Sequence, residues 1–473
     1  MASPNIGFDS IPASIRKPGK YIEFNTKLAV RTLPGNLQKT LIVAQKTSAG
    51  TQTANTPVSV FSDAQAQVLF GVGSQAHLMV RAALKANPYL QLDVLPVDDA
   101  GAGVAATKTV TITGPATAAG VLSLLIGNNQ VDIAIATADA QNAIAAALQA
   151  QIAKQPDLPF TAAVATNVVT LTARNKGTQA NNIAVSTIVS ASGVASVVAT
   201  GTSGATDPTL TTPLAAVFGG GHNIIISAWN DSTTLTSIRT HLDNVSGPLE
   251  QRGAIAAFGF TGSLASATTL AGQINSGRIS GALAPSSVSQ ACEVAAAYGA
   301  VIAFEEDPAR PLNTLALTGI AAMPLANQLS RTEQENALNN GITPLEVGPG
   351  QKVQIVRAIT TYTLDPQSIP DIALLDLTTI RTLDYVRKAV RERISLRFPR
   401  EKLSSRTANK VRSEILDVLY KLEELEIVEA VDDNKTGVIV ERDLQDPNRL
   451  DAKIPTDVVN GLHIFAARID LLL

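Results

Sequence analysis

The sequence predicts a multidomain protein of mixed α/β and α+β class, in which a split α/β middle domain carries a β-rich insertion domain. Three observations predict it. Short apolar runs typical of buried strands alternate with helical patterns on both sides of a long Thr- and Ala-rich stretch. That stretch, Gly101 to Ala205, holds only seven charged residues. The chain of 473 residues is also long enough for about three domains.

These observations divide the chain into five parts. The predicted parts are an N-terminal arm at 1–35, an α/β middle domain at 36–98 and 213–345, a β-rich insertion domain at 99–212, an α+β C-terminal domain at 346–459, and a C-terminal arm strand at 460–473. In the first part, only Lys20 to Thr32 alternates in the manner of a strand, and Pro4, Pro12, Pro18 and Pro34 interrupt the rest. A lone strand needs a sheet to join.

The middle domain is predicted from alternating strand and helix patterns. In its first half, LIVAQ and YLQLDVLPVDD predict strands, whereas VSVFSDAQAQVLFG and SQAHLMVRAALKANP predict helices. Its second half has four apolar runs, at Asn223 to Trp229, Ala254 to Phe260, Ile279 to Leu283 and Ala300 to Phe304. Helix-like stretches separate these runs, so we expect buried strands in one α/β layer structure.

The insertion has a different pattern. TKTVTITG, VLSLLIG and QVDIAIA predict strands, TADAQNAIAAALQAQIAKQ predicts one helix, and FTAAVATN with VVTLTARN predicts a hairpin. Its low charge and many Thr residues fit a module that packs against copies of itself or decorates the surface.

The region after the insertion predicts a helix, a turn, a strand and a long basic helix. Arg331 to Leu338 is helical in pattern, and Asn339-Asn340-Gly341 ends it. Prolines and glycines predict an open stretch at 344–350, and alternation predicts a strand from Val353 to Tyr362. In the long helix, apolar residues recur at helical spacing, namely Ile380, Leu383, Val386, Val390 and Ile394. Basic residues occupy its other positions, so one face packs and another is positive.

Charge changes sign along the C-terminal part. Arg381 to Arg412 has eleven Lys or Arg against three acidic residues, and Ser413 to Asp446 has eleven acidic residues against three Lys or Arg. Two such blocks pair with each other inside one fold, or the basic block of one copy meets acidic surface on another copy or a partner. The sequence leaves both uses open, and the first explains most of these side chains.

The chain ends in NGLHIFAARIDLLL, Asn460 to Leu473, which is apolar on both faces of a strand. A free terminus is normally polar and frayed, and an apolar strand with unpaired backbone groups is an aggregation hazard. We therefore expect this strand to dock into a sheet, either its own or a neighbour's.

Several function classes are disfavoured. A formal net charge of -3 gives no global attraction to nucleic acid or acidic membranes, and no apolar run is long enough to span a bilayer. The single cysteine, Cys292, excludes an internal disulfide and fits a small core residue on an Ala-rich helix. The amino terminus lacks the pattern of a signal peptide.

No motif points to a cofactor or a metal. Gly71 to Ala76 fits G-x-G-x-x-A, but a helical pattern precedes it, so we interpret it as a turn between helices. The four histidines are scattered without ligand spacing. The best catalytic candidate is the acidic loop Glu305 to Asp307, which follows an expected strand. An α/β enzyme using this loop is the alternative function, although Pro308 and Pro311 stiffen the loop.

Two segments carry a resemblance to a known family. RTEQENALNNGITPLE and DLTTIRTLDYVRKAVRERI resemble the carboxy-terminal core of contractile-tail sheath proteins from Mu-like bacteriophages. RKPGKYIEF, at Arg16 to Phe24, is similar to the PG-x-Y-x-E segment that opens many sheath subunits. The resemblance covers both ends of the chain and weakens from about Ala100 to Leu210.

The resemblance implies a structural subunit, not an enzyme, that polymerises around a tail tube and contracts to drive it through the host cell envelope. It implies an outward-facing insertion domain and two strands that complete sheets in neighbouring copies, at Tyr21, Ile22, Glu23, Phe24, Leu462, Ile464, Phe465 and Ile469. It also implies a tube-facing basic helix with Arg381, Arg387, Lys388, Arg391 and Arg393.

The expected partners are other copies in stacked rings, six-fold by resemblance, the tube protein, and baseplate and tail terminator proteins. Neither nucleic acid nor membrane insertion is expected. The expected location is the virion tail, after assembly in the host cytoplasm.

Overall fold

An eight-stranded sheet is the largest layer of the computed structural model, which describes residues 16–22 and 33–471. The strands of the described chain are β1 (Lys39–Gln45), β2 (Val58–Ser59), β3 (Gln91–Val97), β4 (Ala105–Thr113), β5 (Gly120–Ile126), β6 (Asn129–Ile135), β7 (Phe160–Ala165), β8 (Val168–Lys176), β9 (Val185–Val189), β10 (Ala195–Thr200), β11 (Ile224–Ser227), β12 (Ile255–Phe260), β13 (Ile279–Leu283), β14 (Thr343–Gly348), β15 (Lys352–Ile355), β16 (Val428–Glu429), β17 (Ile439–Arg442), β18 (Leu450–Lys453) and β19 (Asp457–Val458). The α-helices are α1 (Asp63–Phe70), α2 (Gln75–Ala86), α3 (Gln141–Ala153), α4 (Thr211–Ala216), α5 (Ser232–Ser246), α6 (Leu264–Ile274), α7 (Ala291–Phe304), α8 (Arg331–Asn339), α9 (Leu377–Arg397), α10 (Thr407–Glu424) and α11 (Val431–Asn434).

The large sheet is parallel in its centre and antiparallel at both edges. Its strand order is β15-β14-β13-β12-β11-β1-β3-β2, and only β15 and β2 pair antiparallel. Ile42 lies opposite Ile226 on one side and Val94 on the other, and all three are fully buried. Strands buried on both faces are apolar without alternation, which is why short apolar runs predicted them. The strands predicted around 41–45, 90–97, 223–229, 254–260 and 279–283 are therefore confirmed.

One predicted strand is wrong. Ala300 to Phe304 is the last turn of α7, which begins at Ala291 and packs on β12 and on α2. Gly299 permits close approach, because a Cβ there would lie 2.5 Å from Ile226 Cγ1. A helix that is buried on nearly every side has no apolar stripe, so its periodicity cannot distinguish it from a buried strand. Cys292 lies buried on this helix, as predicted.

The chain between β3 and α4 builds two further sheets. One has the order β10-β4-β8-β7 and the other β6-β5-β9, and α3 packs against β4, β6, β7 and β8. Together they enclose a separate hydrophobic cluster with Leu122, Leu148 and Phe160 at its centre. The predicted strands, helix and β7–β8 hairpin of this stretch are confirmed, the hairpin closing with Ala165 opposite Val168.

The region after α8 differs from the sequence prediction in two places. The stretch expected to be open at 344–350 is mostly β14, whose Pro344 lies opposite Leu283 near the start of the strand, where a missing N–H is tolerated. The strand expected from Val353 to Tyr362 ends at Ile355 as β15. Beyond it, Thr361 N donates to Ile279 O at 2.8 Å, at the first residue of β13, so the chain leaves the β14–β15 ladder.

The C-terminal residues form a third cluster around α9 and α10. Tyr385 and Ala389 of α9 pack with Ile415 and Val418 of α10. Two small antiparallel sheets, β16–β19 and β17–β18, lie beside them. The predicted long basic helix is confirmed as α9.

Candidate assembly surfaces

The C-terminal arm, 460–471 among the described residues, lies on the outside of the subunit. Val459 N donates to Ile427 O at 3.3 Å, and no backbone hydrogen bond joins 460–471 to other described residues. Every residue from Ile464 to Leu471 is exposed, and Phe465 and Ile469 are 85% and 95% exposed. Leu462 is also exposed. The arm therefore has an apolar side-chain set and unpaired backbone groups, without strand pairing in the subunit.

The described part of the N-terminal arm, 16–22, is exposed as well. Ile22 is 84% exposed, and the Tyr21 hydroxyl donates to Lys17 O at 3.0 Å, a local hydrogen bond. The predicted strand residues Glu23 and Phe24 lie outside the described residues. Pairing of the segment Lys20 to Thr32 stays a prediction.

Both arms are rooted on α9. The N-terminal arm joins the folded body where Tyr385 Oη donates to Pro34 O at 2.8 Å and Lys388 Nζ donates to Gly35 O at 2.8 Å. The C-terminal arm leaves at His463, whose Nε2 lies 3.6 Å from the Oδ1 atom of Asp376, the N-cap residue of α9. Burial lowers the pKa of His463, and Arg357 lowers it further, against the raising effect of Asp376.

The β17–β18 sheet is open at both edges within the described chain. Each of the two strands pairs only with the other, from Ile439 opposite Lys453 to Arg442 opposite Leu450. Ile439 is 46% exposed. A two-stranded ribbon is marginal by itself, and its free edges can each accept another strand.

The basic residues of α9 are placed unevenly. Arg381 and Arg393 are only 6% and 4% exposed, so of the predicted tube-facing residues these two present little surface to a partner in the subunit. They are buried because α9 packs against the folded body along much of its length. Arg387 is half-buried, with Nη1 donating to Ser246 O and Nη2 to Asp384. Lys388 is half-buried, whereas Arg391 is exposed and donates to Gln251 O at 3.0 Å.

The basic and acidic blocks pair with each other inside the subunit. Arg393 lies 3.1 Å from Glu414 and 2.6 Å from Asp417, and Arg397 lies 3.1 Å from Glu414. These contacts join α9 to α10. The first use that the sequence left open, pairing within one fold, is confirmed for these side chains.

Two comparisons of the sequence decide the family. The models described as phage tail sheath protein central domain and phage tail sheath C-terminal domain match residues 203–361 and 370–471. The chain is also 33% identical to the Mu-like prophage FluMu tail sheath protein of Haemophilus influenzae, over 99% of this chain and 100% of that protein. The chain belongs to the phage tail sheath family. It is a structural subunit of a contractile tail sheath, and the resemblance seen in the sequence is confirmed.

The mixed α/β fold of the sheath protein, with its several sheets, is similar to the folds of solved sheath proteins. The crystal structure of a sheath tail protein from Desulfitobacterium hafniense is similar with a TM-score of 0.51 and 14% identity, over 94% of this chain and 97% of that chain. One from Listeria innocua gives 0.51 and 14%, over 91% and 94%. The contracted PVC sheath of an extracellular contractile injection system gives 0.50 and 12%, over 97% and 98%.

The enzyme alternative is not favoured for this sheath subunit. Glu305 follows helix α7, so the expected strand end that suggested a catalytic carboxylate does not exist. Its backbone carbonyl accepts from Arg381 Nη2 at 2.5 Å, and Asp307 Oδ1 accepts from Ala309 N at 3.0 Å, as in a structural loop. Among the described residues, no cluster of His, Cys, Asp or Glu is placed to hold a metal ion. Nor does any described helix have the length and apolarity that crossing a bilayer requires.

Sequence reasoning missed the residues that fix the arms and α9. Arg278 donates to the Asp384 carboxylate from Nη1 at 2.7 Å and from Nη2 at 3.1 Å, although 106 positions separate the two residues. His463 Nδ1 lies 3.0 Å from Asn313 Nδ2. Neither pair leaves a local signal in the chain. Only the spacing of Asp384 and Arg387 on one helix indicates an ion pair from sequence.

Proposed function

We propose that the sheath subunit polymerises as stacked rings around a tail tube and contracts to drive the tube through the host cell envelope. The observation that carries the proposal is that the subunit has both an exposed apolar C-terminal arm and a small sheet with open edges. Burying one Leu, Ile or Phe side chain stabilises by about 1.5–3 kcal/mol, and this arm presents five, counting Leu462, Ile464, Phe465, Ile469 and Leu471. A monomer has no use for such a surface.

The arms complete sheets in neighbouring copies. The open edges of β17 and β18 offer backbone donors and acceptors, and the unpaired backbone of the C-terminal arm offers the complementary groups. The segment Lys20 to Thr32, with Tyr21, Ile22, Glu23 and Phe24, supplies a second added strand. Main-chain hydrogen bonds then hold subunits together with little dependence on side-chain detail.

Contraction is a change of packing between rigid subunits. The folded bodies rotate and slide while the arms bend and keep their hydrogen bonds, and no nucleotide is consumed. The free energy is stored at assembly in a metastable extended packing.

The finer organisation follows the five parts predicted from the sequence. The separate hydrophobic cluster of 99–212 supports an insertion domain, which we place on the outer surface of the sheath. The region at 346–459 is the polymerisation domain nearest the tube, with Arg391 as its exposed basic contact and Lys388 beside it. We expect rings of six copies, contacts with tube, baseplate and tail terminator proteins, and assembly in the host cytoplasm before the sheath resides in the virion tail.

Deleting Ile464 to Leu473 tests strand exchange while keeping the His463 root. We expect a subunit with cooperative melting in circular dichroism that sediments as a monomer, whereas the full chain forms long cylinders in electron microscopy. A matched pair of point variants refines the test. Phe465→Asp should abolish polymerisation, and Leu249→Asp, at a residue 93% exposed in the middle of the chain, should not.

Two results would overturn strand exchange. Loss of cooperative melting in the truncated protein would mean that the arm belongs to the subunit's own core. Cylinders formed by the truncated protein would mean that other surfaces hold the polymer together.

A further inference from the structure

A polar cavity lies where α9 crosses the amino-terminal ends of β11 and β12. It has a volume of about 240 Å3. Asn223 and Ile255 line it from the strand ends, and Arg381, Tyr385 and Lys388 line it from α9. Arg391, which also lines it, is exposed, so solutes reach the cavity from solvent.

The cavity has an excess of positive charge. Four cationic side chains line it, namely Arg252, Arg381, Lys388 and Arg391, against one carboxylate, Asp384. Asp384 is already bound by Arg278 and Arg387, neither of which lines the cavity. Arg252 pairs with Glu250. Within the described chain, no carboxylate forms an ion pair with the other three lining cations, Arg381, Lys388 and Arg391.

Among the described residues, those three cations donate only to backbone carbonyls. Arg381 Nη2 donates to Glu305 O at 2.5 Å, Lys388 Nζ to Gly35 O at 2.8 Å, and Arg391 Nη1 to Gln251 O at 3.0 Å. A carbonyl oxygen satisfies one donor but does not neutralise a charge. Each side chain therefore keeps donors and a full charge for a further acceptor.

Arg381 is the side chain that points most strongly to a ligand. It is 6% exposed, yet its Nη1 has no hydrogen-bond partner among the described residues. Burial lowers the pKa of Arg381 to about 10, although the charges of Glu305 and Asp307 oppose the shift. A buried charge without a counter-charge bonded to it is costly, and the charge of Arg381 at the cavity wall attracts an anion into the cavity.

We propose that this cavity binds an oxyanion, a carboxylate or a phosphate, through Arg381, Lys388 and Arg391. Guanidinium groups match the oxygen spacing of both anions, and Lys adds a compact charge. The volume exceeds that of several water molecules, so a phosphate or an acidic side chain with bridging waters fits. The anion comes either from solution or from an acidic side chain of a second copy of this chain.

Calorimetric titration of the purified full chain with inorganic phosphate and with citrate tests the site. We expect binding that weakens with added salt, and Lys388→Gln should lose about tenfold in affinity, the loss of one charge-assisted hydrogen bond. Arg381→Gln should lose more; because it is buried, its melting curve must first show that it folds. Arg400→Gln is the matched control, since Arg400 is exposed in the same basic block and does not line the cavity.

The outcomes separate the sources. If free subunits bind phosphate but assembled cylinders do not, a carboxylate of a neighbouring copy occupies the site in the polymer. If both bind phosphate equally, the anion comes from solution. Absence of binding for both probes would overturn the proposal, as would equal affinity of the wild type and Lys388→Gln. The titrations of the free subunit do not require assembly, so failure of strand exchange would leave that arm of the test interpretable.

Discussion

Asp384 of α9 accepts two hydrogen bonds from Arg278, at 2.7 Å from Nη1 and 3.1 Å from Nη2, and thereby ties the basic helix to the parallel sheet. Arg278 immediately precedes β13, and its Nη1 also donates to Ala254 O at 3.1 Å. Both side chains are largely buried, at 15% and 16% exposure. Arg387 shares the same carboxylate.

Replacing Asp384 by Asn should destabilise the subunit by about 3 kcal/mol, because two guanidinium groups lose their counter-charge in a largely buried place. Urea denaturation followed by circular dichroism measures the change. Asp470→Asn removes the partner of Arg468 on the exposed C-terminal arm and serves as control, with an expected change below about 0.5 kcal/mol. An equally small effect of Asp384→Asn would show that the ion pair does not fix α9.

Acid should destabilise the subunit through His241. Burial lowers the pKa of His241 to about 4, and the neighbouring His222 lowers it too. Between about pH 6.5 and pH 4 the unfolded chain therefore binds more protons than the folded chain, so the free energy of unfolding falls as the pH falls through this range. One such group contributes at most about 1.4 kcal/mol per pH unit. Below pH 4 its contribution stays constant.

His241→Phe is the variant that checks this, because His241 packs edge-on against Phe218 at 6.1 Å and an aromatic ring can keep that contact. Melting temperatures measured from pH 7 to pH 4 should fall less steeply in the variant than in the wild type. Parallel pH profiles would assign the acid sensitivity to other groups.

The root of the C-terminal arm should loosen in mild acid. The pKa of His463 is lowered, chiefly by burial, so its docked form is favoured above the ordinary value of 6.5 and protonation favours release below it. The mobility of a spin label attached at Ala467→Cys, measured by electron paramagnetic resonance, should be higher at pH 5.5 than at pH 7.5; the natural Cys292 is buried. In His463→Gln this pH dependence should disappear, and its persistence would contradict the assignment.

Charge reversal at Arg391 should reduce co-sedimentation of the sheath with tube protein without preventing folding. Arg391 is exposed and, among the described residues, bonds only the carbonyl of Gln251, whereas reversing Arg387 would break its contact with Asp384. Exposed ion pairs contribute at most about 1 kcal/mol each, but the contributions from the many copies along a cylinder add up. Lys154→Glu, at an exposed position after α3, is the control. Unchanged tube association in Arg391→Glu would place the tube contact elsewhere.

Replacing 100–208 by a short Gly/Ser linker should leave the rest of the subunit folded. The insertion contacts the main body through a few polar pairs, such as Arg81 with Asp157 at 2.7 Å and Asn175 Nδ2 with Lys46 O at 3.0 Å. Loss of these pairs should cost little beyond a modest shift of the melting temperature. A wholly insoluble product would show that the insertion is not an independent module.

Periodicity and turn residues predicted most elements, because strand and helix leave different spacings of apolar residues. They failed where burial removes the spacing, as in α7, or where Pro344 and Gly348 lie inside a strand, as in β14. The apolar arm was visible in sequence, because apolar residues such as Phe465 and Ile469 occupy both faces of the predicted strand. The burial of Arg381 and Arg393 was not, because it depends on how α9 packs against distant segments.

The two arm roots on α9 set the path of mechanical load. His463 lies near Asp376, the N-cap residue of the helix, and Pro34 and Gly35 are held about 14 to 18 Å further along, at Tyr385 and Lys388. We expect a pull on one arm to reach the other along α9, with Asp384 passing part of the load through Arg278 to the parallel sheet. If the sheath contracts with both arms held, we expect α9 to carry the tension between neighbouring copies and the Arg278–Asp384 pair to limit how far the helix moves on the sheet.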